Sequence, residues 1–345
     1  MRDELQFVLP AALREALRVI ANGLTAGQVS QSDLRVAVSS LGALPPDAIG
    51  RADYEIAYVT ELFHHQPPQG ILSWWQRPRS HHDLLRDVPG LAYLFLFHRD
   101  GRLREVALNR INDGLNSAFF FAAIAYRLND WAAPVRAAAV SCAERVFPKT
   151  DSSVITAAAV FLLDRRQQWK RWQSEVSVLS AALCRSDVAE QRADIIHTAK
   201  DGPMGTVLRR ALQDPGLDHH LDRLSTAALL PHVRAVALQA LIEGRAAWPI
   251  GRDRLWVDKR YGLYRLVPVF DERTISRPCS LEVLIDRGAR DRSALVRKVA
   301  AAGLIQYRAS LTNLDSIIQR LANDRNRTLR ERIEFILSER SADRA

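Results

Sequence analysis

Apolar residues recur three and four positions apart along most of this chain, the spacing that places them on one face of a helix. In "VRAAAVSCAERVF", residues 135–147, Val135, Ala139, Cys142 and Val146 share a face. In "VRAVALQALI" the shared face holds Val233, Ala237 and Leu241. In "LVRKVAAAGLIQY" it holds Leu295, Val299, Ala302 and Gln306, with Val296 and Ala300 beside them. Long runs of strict apolar–polar alternation, the mark of a half-buried strand, are few. Loop signals such as "PKTD", "KDGP", "QDPG" and "NDRN" separate segments of about 10 to 18 residues, the rhythm of short antiparallel helices. The pattern predicts an all-α chain.

A motif recurs at the predicted helix starts: Asp, four residues, an apolar residue, a basic residue, then a helix rich in small side chains. Asp130 leads to Val135-Arg136, Asp291 to Val296-Arg297 and Asp324 to Leu329-Arg330. Asp164 leads to Trp169-Lys170 in the same register. Leu103-Arg104 follows Asp100 with a shorter spacer, and Val233-Arg234 lacks the Asp. Arg104 to Arg136 is 32 residues, Arg136 to Lys170 is 34 and Arg297 to Arg330 is 33. Arg234 to Arg297 is 63, close to two such units, and "DGPMGTVLRRAL" (residues 201–212) stands where a blurred copy is expected. A period of this size with helical content predicts stacked helix pairs, because one pair cannot bury both of its faces. An Asp before a helix accepts bonds from its free N–H groups, and Pro134 suits the first turn, where a missing N–H costs nothing.

These copies resemble HEAT and armadillo-like repeats, whose second helix begins with Asp followed by Val-Arg. The resemblance covers roughly residues 100–340. It implies an α-α superhelix of antiparallel helix pairs, and a ladder between consecutive repeats built from Asp130, Arg136, Asp291, Arg297, Asp324 and Arg330. The expected division is an N-terminal helical region over 1–99, capping or degenerate repeats; HEAT-like repeats over 100–247; an irregular aromatic and basic insertion over 248–278; and HEAT-like repeats over 279–345. A repeat of this kind specifies a fold and leaves function open.

Breaks in such an array are where binding loops sit. The clearest reads "WPIGRDRLWVDKRYGLYRLVPVFDERTISRP". It interleaves Trp248, Trp256, Tyr261 and Tyr264 with Arg252, Arg254, Lys259, Arg260 and Arg265, and its residues around Tyr261-Gly262 suit a short hairpin. Arginines and aromatic rings together supply phosphate contact and base stacking. Alternatively the rings pack on the next repeat and the charges face water. A second candidate is "DRRQQWKRW", where Trp169 and Trp172 are spaced to share a helix face among Arg165, Arg166, Lys170 and Arg171. The alternative is that both rings face the core under arginine stems. A third, "SWWQRPRSHHDLL", carries Trp74 and Trp75.

Composition narrows the chemistry. Hydrophobic residues make up 48% of the 345 and charged residues 25%, which suits a folded soluble chain. The longest apolar run, residues 117–126, is about half the roughly 20 needed to span a bilayer and reads as a buried helix. The first segment carries Asp3, Glu4 and Glu15 and reads as an amphipathic helix instead of a secretory signal. Cys142, Cys184 and Cys279 are scattered, so neither a disulfide framework nor a zinc pair is expected, and the chain is expected to be cytoplasmic. Net charge is +9, from 43 Arg and 5 Lys against 39 acids. That favours anionic partners, although a GC-rich coding sequence also enriches Arg.

Catalytic signatures are missing. No G-x-G-x-x-G, G-x-x-x-x-G-K-[ST] or G-x-S-x-G occurs. The histidine pairs His64-His65, His81-His82 and His219-His220 lack chelating spacing, and Ser80 before His81 reads as a helix start. The HEAT-like deoxyhypusine hydroxylases depend on His-Glu dipeptides, and this chain has none. The HEAT-like DNA glycosylases that excise alkylated bases use aromatic and acidic residues on a basic face. Asp130-Trp131 and Asp164 with Trp169 are of those types, but no motif matches residue by residue. The expectation is a non-catalytic scaffold or adaptor without metal or cofactor, binding another protein or peptide on its concave face. The alternative is a nucleic-acid-binding solenoid.

Overall fold

A computed structural model describes residues 7–63, 79–165, 169, 171–312 and 315–342. The chain is mostly helical, with one two-stranded antiparallel sheet among the described residues. It forms two compact units, Met1–Leu183 and Cys184–Ala345. The boundary falls inside the stretch that the sequence reads as one run of repeats.

The N-terminal unit contains α1 (Ala11–Thr25), α2 (Gln31–Gly42), α3 (Ile49–Val59), α4 (His81–Asp87), α5 (Leu91–Phe95), α6 (Gly101–Arg110), α7 (Ala118–Arg127), α8 (Ala133–Val146), α9 (Ser152–Arg165) and α10 (Val176–Leu183). Its central helix is α7, the apolar run noted above. Phe119, Phe120, Phe121, Ile124 and the alanines between them are buried all round it. Ser117 starts α7 by accepting from the Phe120 N–H, and its hydroxyl donates to the Gly42 carbonyl at 2.7 Å, which ties the helix to α2. Ser80 and Asp83 form a reciprocal capping box at the start of α4, where the sequence places a helix start.

The C-terminal unit contains α11 (Ser186–Thr198), α12 (Met204–Ala211), α13 (Leu221–Ala227), α14 (Pro231–Glu243), β1 (Arg245–Asp258), β2 (Leu263–Thr274), α15 (Leu281–Ala289), α16 (Ala294–Tyr307), α17 (Asp315–Ala322) and α18 (Arg327–Ala342). Helices α13 and α14, α15 and α16, and α17 and α18 pack as consecutive pairs. The second helices also pack in sequence, α12 on α14, α14 on α16 and α16 on α18. Small residues permit this: a Cβ on Gly303 of α16 would lie 2.6 Å from Ile242 of α14. A Cβ on Gly288 of α15 would lie 2.5 Å from Leu238 and 2.9 Å from Ala300.

Among the described residues the same ionic rung recurs three times. Arg104 donates Nε and Nη2 to Asp130 at 3.0 and 2.9 Å. Arg234 does so to Asp291 at 2.8 and 3.0 Å, and Arg297 to Asp324 at 2.6 and 2.9 Å. The third nitrogen, Nη1, turns back to the carbonyl six residues earlier in its own chain: His98, Ala228 and Asp291 respectively. Each aspartate also accepts the N–H two residues on, from Ala132, Ser293 and Asn326. The carboxylate therefore ties the turn before the helix and does not cap the helix's first turn, as the sequence suggests. Two-pronged arginine–carboxylate bonds with all three nitrogens engaged are the form in which a buried pair offsets its desolvation.

Two of the six ladder residues differ from the resemblance. Arg136 holds the Asp130 carbonyl with Nη1 and donates Nε to Glu175 at 3.0 Å; the Asp164 side chain lies outside the described residues. Arg330 bonds the carbonyls of Asp324 and Arg325. Asp130 is held in addition by Arg127, which also pairs with Asp53 on α3. Burial works against the Asp130 carboxylate, but Arg127 and Arg104 outweigh it and keep its pKa below the usual range.

Rung spacing corrects the repeat count. Arg104 and Asp130 are 26 residues apart and Arg297 and Asp324 are 27, but Arg234 and Asp291 are 57. The two strands with their turn, residues 245–274, occupy 30 of those 57 positions, and without them the spacing is 27. The 63 residues from Arg234 to Arg297 are one helix pair plus a sheet, not two pairs.

Candidate binding surface

The segment expected as an irregular insertion is a regular antiparallel ribbon. It begins at Arg245, where Gly244 ends α14 with φ at +67°, a conformation that favours glycine. Arg277 covers the end of α14 by donating to the carbonyls of Leu241 and Ile242 at 3.0 and 2.9 Å. The strands hold 14 and 12 residues, longer than the short hairpin read from the sequence. Gly262, with φ at +66°, and the Asp258 carboxylate, which accepts the Arg260 N–H at 2.8 Å, shape the turn. Only the base is buried: Ala246 and Trp248 lie in the core, and β1 is exposed from Ile250 through Val257. At about 3.3 Å per residue the exposed stretch projects roughly 25 Å.

Register assigns each side chain to a face. The pairs Arg252–Pro268, Arg254–Leu266, Trp256–Tyr264 and Pro249–Phe270 fall on one side, with bulges at Ile250 and Val257 each shifting the alternation of β1 by one residue. The pairs Asp253–Val267, Leu255–Arg265, Asp258–Leu263 and Trp248–Asp271 fall on the other. The first side is an aromatic and basic face. Trp256 and Tyr264 are 43% and 44% exposed and meet edge-to-face with ring centres 5.5 Å apart. The Arg254 guanidinium lies 4.6 Å from the Tyr264 ring centre. Its one acid, Glu272, is bonded to Arg245 at 2.5 Å. The second side carries Asp253, Asp258 and Asp271.

The base holds the ribbon in a fixed direction. Arg273, on the acidic side, donates to the carbonyls of Leu212 and Asp214 and to both oxygens of Asp218 at 2.7 and 2.6 Å. Arg245 and Ala247, on the aromatic side, line a small hollow with Arg209, Val236, Gln239 and Glu243. Gln239 and Glu243 also line a groove of about 300 Å³ with Leu295, Lys298, Val299 and Arg332. The base of the aromatic face therefore adjoins α14, which also lines the groove with α16 and α18.

No family model, curated protein or solved structure matches this chain.

The sequence candidates separate on this geometry. Arg252, Arg254, Trp256 and Tyr264 share the aromatic face. Arg265 points to the opposite side, and Lys259, Arg260 and Tyr261 sit in the connecting turn, with Tyr261 79% exposed. Trp169 and Trp172 belong to the N-terminal unit and do not share a helix face, because α9 ends at Arg165. Trp172 is buried, and Trp169 packs edge-on against Tyr126, Phe161 and Trp172 at 5.5, 6.3 and 5.0 Å. Trp172 is thus a packing residue, and Trp169 is half-buried beside it. The Arg171 N–H donates to Asn129 at 2.9 Å. Arg166 and Lys170, the Arg165 side chain, His64, His65, Trp74 and Trp75 lie outside the described residues.

His81 is buried, its Nδ1 3.1 Å from His98 Nε2, and the His98 Nδ1 accepts the Asp100 N–H at 2.9 Å. Among the described residues no three His, Cys, Asp or Glu side chains converge as a metal site, and no helix is long and apolar enough to cross a membrane. Sequence reasoning did not place Phe270 and Leu266 on the aromatic face or Arg104 and Arg234 as rung donors. The apolar-Arg pairs Leu103-Arg104 and Val233-Arg234 carry the signal for the second set.

Proposed function

We propose that this chain is a non-catalytic HEAT-like scaffold that holds a macromolecular partner against its C-terminal unit. The recurring arginine–aspartate rung between helix pairs supports the α-α superhelix reading, because each rung joins one pair to the next with the same bonds. One observation carries the binding role: the ribbon exposes Trp256, Tyr264, Leu266 and Phe270 on a single face that the described residues of its own unit leave uncovered. Exposed apolar side chains gathered on one face mark interaction sites. The base of that face adjoins α14, which also lines a groove with α16.

A photo-crosslinking residue in place of Leu266, in the chain's native host, tests the proposal. A discrete light-dependent adduct is expected, lost when Trp256→Ala is added and absent when the probe replaces exposed Val19 on α1. Identical adducts from both positions, or none from Leu266, would rule the proposal out.

A further inference from the structure

We infer that the aromatic face of the ribbon binds single-stranded nucleic acid. The inference rests on the scaffold reading above and names the partner. Four observations carry it. The acids of the ribbon are segregated: Asp253, Asp258 and Asp271 lie on the far side, and Glu272 is occupied by Arg245. Arg252 and Arg254, on the near side, have no carboxylate partner among the described residues. Trp256, Tyr264 and Phe270 expose ring surface on that same side. Lys298 and Arg332 line the groove beside α14, whose one acid, Glu243, is bonded to Arg245.

Charge and rings together discriminate between occupants. Alternate residues of β1 stand about 6.6 Å apart on one face, so a strand lying along the ribbon meets Arg252, Arg254 and Trp256 in turn. Arginine takes the phosphate and the ring takes a base, the combination found on surfaces for single strands. A duplex hides its base faces inside its own stack and would leave these three rings without a partner, although its major groove admits a two-stranded ribbon. An acidic peptide would use the arginines alone. A second copy of the same face would set Arg252 and Arg254 against their equivalents.

The test is fluorescence anisotropy with the full chain and a labelled oligothymidine of about 20 nucleotides, longer than the roughly 4–16 that such surfaces cover. A same-length duplex is the comparison, and both are measured across a salt series. Expected is saturable single-strand binding at low salt, at least about tenfold tighter than the duplex, with Trp256 fluorescence quenched. Binding falls with salt at about 0.7 log units per log unit for each phosphate contacted. The double variant Arg252→Ala/Arg254→Ala reduces that slope by about 1.4. Trp256→Ala and Tyr264→Ala each weaken binding about tenfold and leave the slope unchanged. Arg265→Ala, on the far side, changes affinity less than about twofold.

Absence of binding at low salt, equal or tighter binding of the duplex, or an Arg265→Ala effect matching that of Arg254→Ala would overturn the inference. A protein adduct from the Leu266 probe with no oligonucleotide binding would overturn this inference alone and leave the scaffold proposal standing.

Discussion

Arg297 grips both oxygens of Asp324, at 2.6 and 2.9 Å, while its third nitrogen holds the Asp291 carbonyl at 2.9 Å. One side chain thus joins the acid of the next helix pair to the backbone of the turn that carries the previous rung's acid. Asp291, in turn, is held by Arg234. The rungs are linked end to end through the peptide backbone, and damage to one reaches the anchor of its neighbour.

The first consequence is a pH dependence. Hydrogen bonds from Arg297, opposed by burial, hold the Asp324 carboxyl below its ordinary 3.8. Burial acts against the Asp291 carboxylate, but Arg234 and the Ser293 N–H keep its pKa low as well. A depressed folded-state pKa means stability that is full above the unfolded value and lost as pH falls through the folded one. Unfolding midpoints in denaturant should therefore fall steeply below about pH 4. In Asp324→Asn the stability at pH 7 drops by about 1.5 kcal/mol and the acid slope is shallower. An unchanged slope would mean that Asp324 titrates alike in folded and unfolded chains.

The pair Arg234 and Asp291 gives the sharper stability test. Arg234 is among the largest fully buried side chains, and removing one partner leaves the other as an unpaired buried charge. Arg234→Ala and Asp291→Ala should each cost about 3 kcal/mol. The double variant should cost less than their sum by about 1–3 kcal/mol in denaturant melts. Additive losses would mean that the two residues act separately.

How much of this was written in the sequence differs by level. Helix content and the rung acids were legible, because periodicity and capping chemistry are local. Arg104 and Arg234 were visible as apolar-Arg pairs, but which acid each one reaches depends on a partner 26 or 57 residues away. The ribbon's chemistry was legible as composition and illegible as geometry. Arg265 and Arg254 look equivalent in the chain, and only the pairing of Leu255 with Arg265 and of Arg254 with Leu266 puts them on opposite sides. The bulges at Ile250 and Val257 shift that assignment by one residue each, and no pattern of side chains announces a bulge. Trp169 and Trp172 misled because their i, i+3 spacing means a shared face only inside a helix, and α9 stops before them.

Close helix approach makes a prediction opposite to helix propensity. Alanine is favoured over glycine in a helix interior by about 1 kcal/mol. At Gly288 the added methyl would sit 2.5 Å from Leu238 and 2.9 Å from Ala300, on two neighbouring helices at once. Overpacking of this kind costs about 1–3 kcal/mol. Gly288→Ala should therefore be net destabilising in thermal melts. Gly50→Ala, where the methyl meets nothing within 4 Å, should be neutral or stabilising. A stabilised Gly288→Ala would show that α14, α15 and α16 do not approach this closely.

Thiol reactivity separates the cysteines. Cys142 is fully buried on α8, and burial pushes its thiol up to about 12, with Arg145 opposing. It stays protonated at pH 8, and the thiolate is the reacting form. Iodoacetamide on the native chain at pH 8 should label the partly exposed Cys279 at least about a hundredfold faster than Cys142. Denaturant should abolish the difference. Rapid native labelling of Cys142, read by peptide mass spectrometry, would place α8 outside the core.

The ribbon should be removable without loss of the fold. Its pairs outside the base bury little, and the rung between Arg234 and Asp291 has ordinary spacing once residues 245–274 are discounted. Replacing residues 249–270 by Asn-Gly, a two-residue turn suited to an antiparallel pair, keeps Ala246, Trp248, Arg245 and Arg273 at their anchors. Exposed segments contribute little to stability, about 0.5 kcal/mol or less per side chain. The shortened chain should melt cooperatively within about 4 °C of the parent, while crosslinking and oligonucleotide binding disappear. A drop in Tm of more than about 10 °C would mean that the exposed strands are part of the core, and that their aromatic face is held for packing and not for a partner.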